Sequence, residues 1–383
     1  MVTRQQLEAI ERQILAPYAA KSGASRGRQY PDPEASYRTA FQRDRDRVLH
    51  TTAFRRLEYK TQVFVNYEGD YYRTRLTHTL EVAQLGRTLA RALGANEDLV
   101  EAICLAHDLG HAPFGHSGEA VLNRLMKDHG GFDHNSQTLR IVTKLERRYA
   151  NWPGLNLTWE TREGIVKHET EYDFSDATDY DPDTRGNLEA QIANVADELA
   201  YTAHDLDDGL RAGLFTADQV EPLGWWQVLR RSLDWPPSQP FDEVMRHRLI
   251  RRLIGLEMDD LVVTTSQNLE REKPRSMQEL QELADNACVH SPEVAARNRQ
   301  LKDFLYENMY RHYRVIRMQS KADRFITGLF EAFVKQPAQL PYQTQQCIEE
   351  HGLHRTVCDY IAGMTDRYTL QEHERLFGRF TCP

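Results

Sequence analysis

Apolar residues along the chain recur three and four positions apart far more often than they alternate, which is the mark of amphipathic helices rather than strands. In NEDLVEAICLAHDLG, Leu99, Ala102, Ile103 and Ala106 share one helical face. Asn96 is placed to cap that helix and Gly110 to end it, so His107 and Asp108 fall in its last turn. SGEAVLNRLMKDHGG repeats the pattern, with Ser117 as the cap, Val121, Leu122, Leu125 and Met126 as the stripe, and Gly130-Gly131 as the stop. A preceding helix, opened by RTRLTHTLEV, carries Leu85, Leu89, Ala92 and Leu93, and a short link makes it an antiparallel neighbour of the next. Far downstream, Met318, Ala322, Phe325, Ile326, Leu329, Phe330 and Phe333 mark one more core-facing helix. The pattern predicts an all-α protein.

Turn formers and proline interrupt these helices at 171–186, 234–240 and 335–341. None is long enough to fix a linker, and no internal repeat or low-complexity tract is present. On length alone the division is an N-terminal arm and body over 1–240, with a C-terminal helical extension over 241–383; one continuous domain is the alternative.

At 383 residues, 40% of them hydrophobic, the chain is long and apolar enough to bury a sizeable core. It has no uninterrupted apolar run of membrane-spanning length, and the charged start MVTRQQLEAIERQILAPY is no secretory leader, so a cytoplasmic location without membrane attachment is expected. Five scattered cysteines (Cys104, Cys288, Cys347, Cys358, Cys382) form no CxxC pair and point to reduced, structural thiols. A net charge of −9 excludes a general nucleic-acid coat, so any polyanion must be met by locally gathered cations.

Chemistry concentrates in one stretch. His78, His107, His111, His116, His129 and His134 crowd together, whereas the rest of the chain is sparse in histidine. His107 and Asp108 are neighbours, about 100° apart on a helix, so they can share one ion only from a helix end or with ligands from other segments. His78 is a candidate on the neighbouring helix. A further carboxylate is available in EAQIANVADELAYTAHDLDDG, where Ile192, Val195, Ala196, Leu199, Ala203 and Leu206 form the apolar stripe. Asp197, Tyr201 and Asp205 lie opposite it at i, i+4 and i+8, either a solvated polar face or a row that one ligand could touch. Such a mixed nitrogen and oxygen set suits Mn, Mg, Fe, Co, Ni or Zn, and an ion with open positions serves phosphate-ester hydrolysis. His116 lies three residues before Glu119, which can hold the ring as an acid/base dyad. His111 and His134 could bear on the same phosphate. The cations from Arg43 to Phe64 read as a solvated face with Arg/Asp pairing for Arg43, Asp44, Arg45 and Asp46, whereas Arg75, one turn before His78, points toward the pocket.

His78, His107-Asp108 and Asp197 resemble the H…HD…D set of HD-domain phosphohydrolases. With HAPFGHSGE, FDHNSQTLRI, AFRRLEYKTQVF and ADELAYTAHDLDDG, the likeness narrows to the dGTPase-like branch, the deoxyguanosine triphosphate triphosphohydrolases, over roughly 25–215. The resemblance implies an HD-type helical fold with additional C-terminal helices, and a divalent metal ion held by His78, His107, Asp108 and Asp197. It implies hydrolysis of dGTP or other dNTPs to deoxynucleoside and inorganic triphosphate. His116 with Glu119 matches the family's catalytic dyad, and His111 and His134 its α-phosphate histidines. Arg75 matches a phosphate contact, Tyr201 a residue packed on sugar and phosphates, and Gln62 with Asp205 the pair that binds the 3′-hydroxyl. By analogy a homo-oligomer, commonly a hexamer, is expected; a nucleotide activator and single-stranded DNA are further partners the family admits. The alternatives are another HD-type nucleotide phosphohydrolase, and a non-catalytic nucleotide sensor or single-strand-binding regulator.

Overall fold

The computed structural model describes residues 2–62, 73–168, 180–236 and 238–378. Most of the 171–186 loop, together with Phe64 and Cys382, lies outside the described residues. In chain order the helices are α1 (Arg4–Ile14), α2 (Ala40–Leu49), α3 (Thr52–Arg56), α4 (Arg75–Leu93), α5 (Glu97–Ala106), α6 (Gly115–Leu125), α7 (His134–Arg140), α8 (Trp159–Val166), α9 (Leu188–Arg211), α10 (Ala217–Val220) and α11 (Gly224–Ser232). There follow α12 (Glu243–Glu272), α13 (Met277–Gln281), α14 (Pro292–Leu305), α15 (Tyr313–Lys335), α16 (Tyr342–Gln345), α17 (Ile348–His351), α18 (Leu353–Ala362) and α19 (Asp366–Phe377). Among the described residues no strand forms; three isolated bridges, one of them between Thr61 and Thr74, are the extent of β pairing. None of these helices is long and apolar enough to cross a membrane.

Three apolar cores organise the helices. The first packs α4, α5 and α9 through Leu89, Leu99, Ile103, Ile192 and Leu199, with Leu261 of α12 closing it. The second joins the end of α9 to α11, α12 and α14 through Leu206, Trp225, Leu253 and Leu301. In the third, Leu122 and Met126 beside α6 meet Ile326, Leu329 and Phe333 of α15 and Val357 of α18. Met318 and Phe325 of the predicted α15 stripe are partly buried against this core. Apolar burial of this kind is what stabilises helices whose own propensity is ordinary.

The helix ends position the chemistry. Thr74 caps α4 by accepting the Thr77 backbone N–H, so Arg75 and His78 fall in its first turn, and Gly94 closes it in the left-handed region. Asn96 caps α5 as predicted, its side chain accepting from Asp98 and Leu99. α5 ends at Ala106, one turn earlier than the glycine signal implied, with His107 as its C-cap. Gly110 is needed for closeness rather than for ending a helix: a Cβ there would lie 2.1 Å from the His134 carbonyl and 2.4 Å from the Thr138 nitrogen. Ser117 is not a cap either. The N-cap of α6 is Phe114 at φ 64°, followed by Gly115 at φ 58°, which brings His116 into the first turn. At its other end α6 stops at Leu125, before the glycine pair.

The basic stretch of α2 pairs with other segments instead of facing solvent. Asp44 is fully buried, bonded by Arg28 and by Thr158 and Thr161. Arg43 reaches Asp32 and Glu34, and Arg45 reaches Asp98 and Glu101.

Candidate active site

Three helix starts (α4, α6 and α7), the end of α5 and the middle of α9 converge on a cavity of about 370 Å³. His78 and His107 come from α4 and the end of α5, Asp197 from α9, and their ligand atoms all lie within 4.8 Å of one another. His78 Nε2 stands 2.8 Å from Asp197 Oδ1, and His107 Nε2 is 3.5 Å from both Asp197 Oδ1 and Asp108 Oδ1. His107 Nδ1 donates to the Cys104 carbonyl at 2.6 Å, which fixes the tautomer and leaves Nε2 bare. Burial opposes charge on His107, yet Asp108 and Asp197 raise its pKa to about 9.

The predicted His116–Glu119 pair is more connected than a dyad. Glu119 faces His116, with Nδ1 3.3 Å from Oε2, and also holds His134 through its ring (3.0 Å) and its backbone N–H (2.8 Å). Burial would lift the Glu119 carboxyl, but His134 and the hydrogen bonds from His116 and His134 hold it well below the usual range. The anionic carboxylate therefore orients two imidazoles at once. His111 stacks on His134 at 3.8 Å between centroids and bonds Asp108 Oδ1 through Nε2 at 3.1 Å. His116 is half exposed at the cavity wall, whereas His111 and His134 are buried.

Toward the other end, Arg75 Nη1 donates to Asp108 Oδ1 at 2.8 Å, which leaves Nη2 and Nε for a ligand. The row Asp197, Tyr201, Asp205 faces the cavity, not solvent: Asp205 is 1% exposed. α14 runs into a π-turn, Tyr306–Tyr310, and Tyr310 bonds both the Asp205 carboxylate and the Tyr201 hydroxyl. Burial, aided by Asp208, pushes Asp205 up to about 8 despite that hydrogen bond. Gln62 reaches the cavity from the segment before α4, held there as Arg75 N–H donates to the Lys60 carbonyl at 3.2 Å.

Eleven of the twelve predicted site residues line this one cavity, and Glu119 stands behind it. His129 does not join them; it stacks on His354 at 3.6 Å elsewhere. Several residues that sequence reasoning passed over stand in or behind the cavity wall. His168 is buried with Nε2 3.4 Å from Asp197 Oδ2, and His204 backs His78 with the two Nδ1 atoms 3.2 Å apart. Lys302, ion-paired with Glu198, and Tyr310 complete the wall.

The donor set fits a divalent ion. Among the described residues, several of the buried polar atoms without a hydrogen-bond partner lie together at this cavity: His107 Nε2, Asp108 Oδ2, His111 Nδ1, Arg75 Nη2 and Gln62 Oε1. Burying unpaired polar atoms is costly, so their convergence marks a place for a charged ligand. His78, His107, Asp108 and Asp197 offer two nitrogens and two carboxylates, with no thiolate.

Comparison with known proteins places the chain in a family. The HD domain family model matches residues 75–202, and that of the phosphohydrolase-associated domain matches 288–375. The deoxyguanosinetriphosphate triphosphohydrolase-like protein of Geobacter metallireducens is 52% identical over 371 residues, covering 96% of each chain. Its counterpart in Geobacter sulfurreducens is 49% identical over 379 residues and 98% of each chain, and that of Ralstonia pickettii 49% over 372 residues and 95% of each. The chain belongs to the dGTPase-like family of HD-domain phosphohydrolases.

Proposed function

We propose that the protein hydrolyses deoxynucleoside triphosphates, dGTP among them, to deoxynucleoside and inorganic triphosphate, using a divalent ion held by His78, His107, Asp108 and Asp197. The observation that carries the reading is the convergence of unpartnered buried polar atoms on a cavity that also holds the Glu119-oriented histidines. When bound, the ion supplies Lewis-acid charge for a phosphoryl oxygen. Water attacks the α-phosphorus, giving up a proton to solvent, and the bond from that phosphorus to O5′ breaks. His116, oriented by Glu119 and open to the cavity, delivers the proton that O5′ needs to leave as a hydroxyl.

Arg75 Nη2, His111 and His134 meet the phosphate charge. Tyr201 packs on the sugar, and Gln62 with Asp205 binds the 3′-hydroxyl. On this reading residues 1–240 form the arm and catalytic body, and 241–383 an extension packed on it that lends Tyr310. Incubating the protein with each dNTP and rNTP under Mg, Mn and Co, and resolving products by anion exchange, tests the proposal. Inorganic triphosphate supports it; pyrophosphate or free phosphate assigns the chain to a different HD-type reaction.

A further inference from the structure

The catalytic turn and the Gln62 segment are joined by a residue from neither. Asp366, the first residue of α19, is 4% exposed and lies some 250 positions downstream of the turn it binds. Its Oδ2 accepts the Thr61 backbone N–H at 2.9 Å and the Thr61 hydroxyl, and its Oδ1 accepts the Phe114 N–H at 2.8 Å. Thr61 immediately precedes Gln62. Phe114 is the left-handed N-cap of α6, two residues before His116. An aromatic residue in that conformation is strained, and a bonded N–H helps to hold it there.

Lys60 repeats the connection with opposite charge. Buried beside Asp366, its ammonium donates to the carbonyl of His111 and, at 3.0 Å, to that of Ala362. Segments 60–62, 111–114 and 362–366 are thus tied by one carboxylate and one amine. A staple for stability alone could sit anywhere on the contact between α15, α18, α19 and the rest. This one ends on the neighbours of Gln62 and His116.

We propose that Asp366, assisted by Lys60, is a positioning residue that fixes Gln62 and His116 across the cavity, so that the C-terminal segment sets the geometry of the reaction. Asp366 acts through Thr61 and Phe114 and does not line the cavity itself. Both of its oxygens must accept. An asparagine offers one acceptor and turns its NH₂ toward an N–H on the other side, freeing one of the two segments.

The proposal rests on the function proposed above, and its test separates the two. In the full-length protein, Asp366→Asn is expected to lower kcat/KM for dGTP by about 10–100-fold, the scale of a misplacement near 1 Å. It should also reduce the preference for dGTP over 2′,3′-dideoxyGTP, a readout that a merely structural role would not move, while bound metal stays at the wild-type level. Amide hydrogen exchange should rise in at least one of the peptides covering 57–62 and 111–117, the one that loses its acceptor. Thr61→Val, which removes only the hydroxyl bond, should shift the 3′-hydroxyl preference in the same direction by less, and decides the matter if Asp366→Asn fails to fold. Wild-type kcat/KM and 3′-hydroxyl preference in a folded Asp366→Asn protein, or in Thr61→Val if only that variant folds, overturn the proposal. If the wild-type protein releases no triphosphate, the functional reading fails instead. Exchange then decides the positioning role: protection unchanged in both peptides overturns it.

Discussion

The Nδ1 atoms of His78 and His204 face each other at 3.2 Å, and the far nitrogen of His204 is within hydrogen-bonding reach of the Glu81 carboxylate. With His78 Nε2 given to an ion, its Nδ1 must carry the proton and His204 Nδ1 must accept it. His204 then donates through Nε2 to Glu81. Only one tautomer of each ring closes this chain, so the pair orients His78 and raises its basicity. Replacing His204 with Phe keeps the bulk and removes the acceptor, and should weaken Mn or Co binding by about 10–100-fold. Calorimetric titration of metal-free protein measures this directly; unchanged affinity would mean that the His204 contact is packing alone.

Because Glu119 holds both His116 and His134, its loss should exceed that of either ring's orientation singly. His116→Ala is expected to lower kcat by about 10²–10⁴-fold while metal and nucleotide still bind. Glu119→Gln should fall at least as far, and the double variant hardly further, since the residues act as a unit. Single-turnover rates with equilibrium dialysis of nucleotide separate these effects. Multiplicative losses in the double variant would show that Glu119 and His116 work independently.

Away from the cavity, Glu257 sits in the middle of α12 at 0% exposure, neither oxygen having a hydrogen bond of good geometry. Burial pushes its pKa up to about 8, only partly opposed by Asn298. The folded state therefore holds this proton where the unfolded chain has released it. Stability from this group is present below the ordinary glutamate pKa, near 4.3, and is lost as pH rises toward 8, by an amount on the order of a few kcal/mol. Glu257→Gln should raise the melting temperature at pH 8.5 and leave it nearly unchanged at pH 5. An equal shift at both values would place the effect in packing rather than ionisation.

The helical architecture and most of the cavity wall are legible in the sequence because both follow from local periodicity. The apolar stripe of α9 turns Asp197, Tyr201 and Asp205 to one side, and Asn96 fixes where α5 begins, hence where His107 emerges. Residues whose meaning depends on distant chain are not legible. His204 shares α9 with Asp205 and acquires its role only from a contact 126 positions away. Asp366 looks like an ordinary first-turn acid until α19 is packed against Thr61 and Phe114. Ser117 and Gly110 mislead for a related reason. Tertiary contacts outweigh capping preference at both, as the close approach of α7 to Gly110 shows.

The proposed hydrolysis at the α-phosphorus, with departure of the intact triphosphate, can be read out by turnover of dGTP in H₂¹⁸O followed by mass spectrometry of the products. Attack on phosphorus places one ¹⁸O on inorganic triphosphate and none on deoxyguanosine. Label on the 5′-hydroxyl, or label appearing in pyrophosphate or free phosphate as the primary product, would contradict the account.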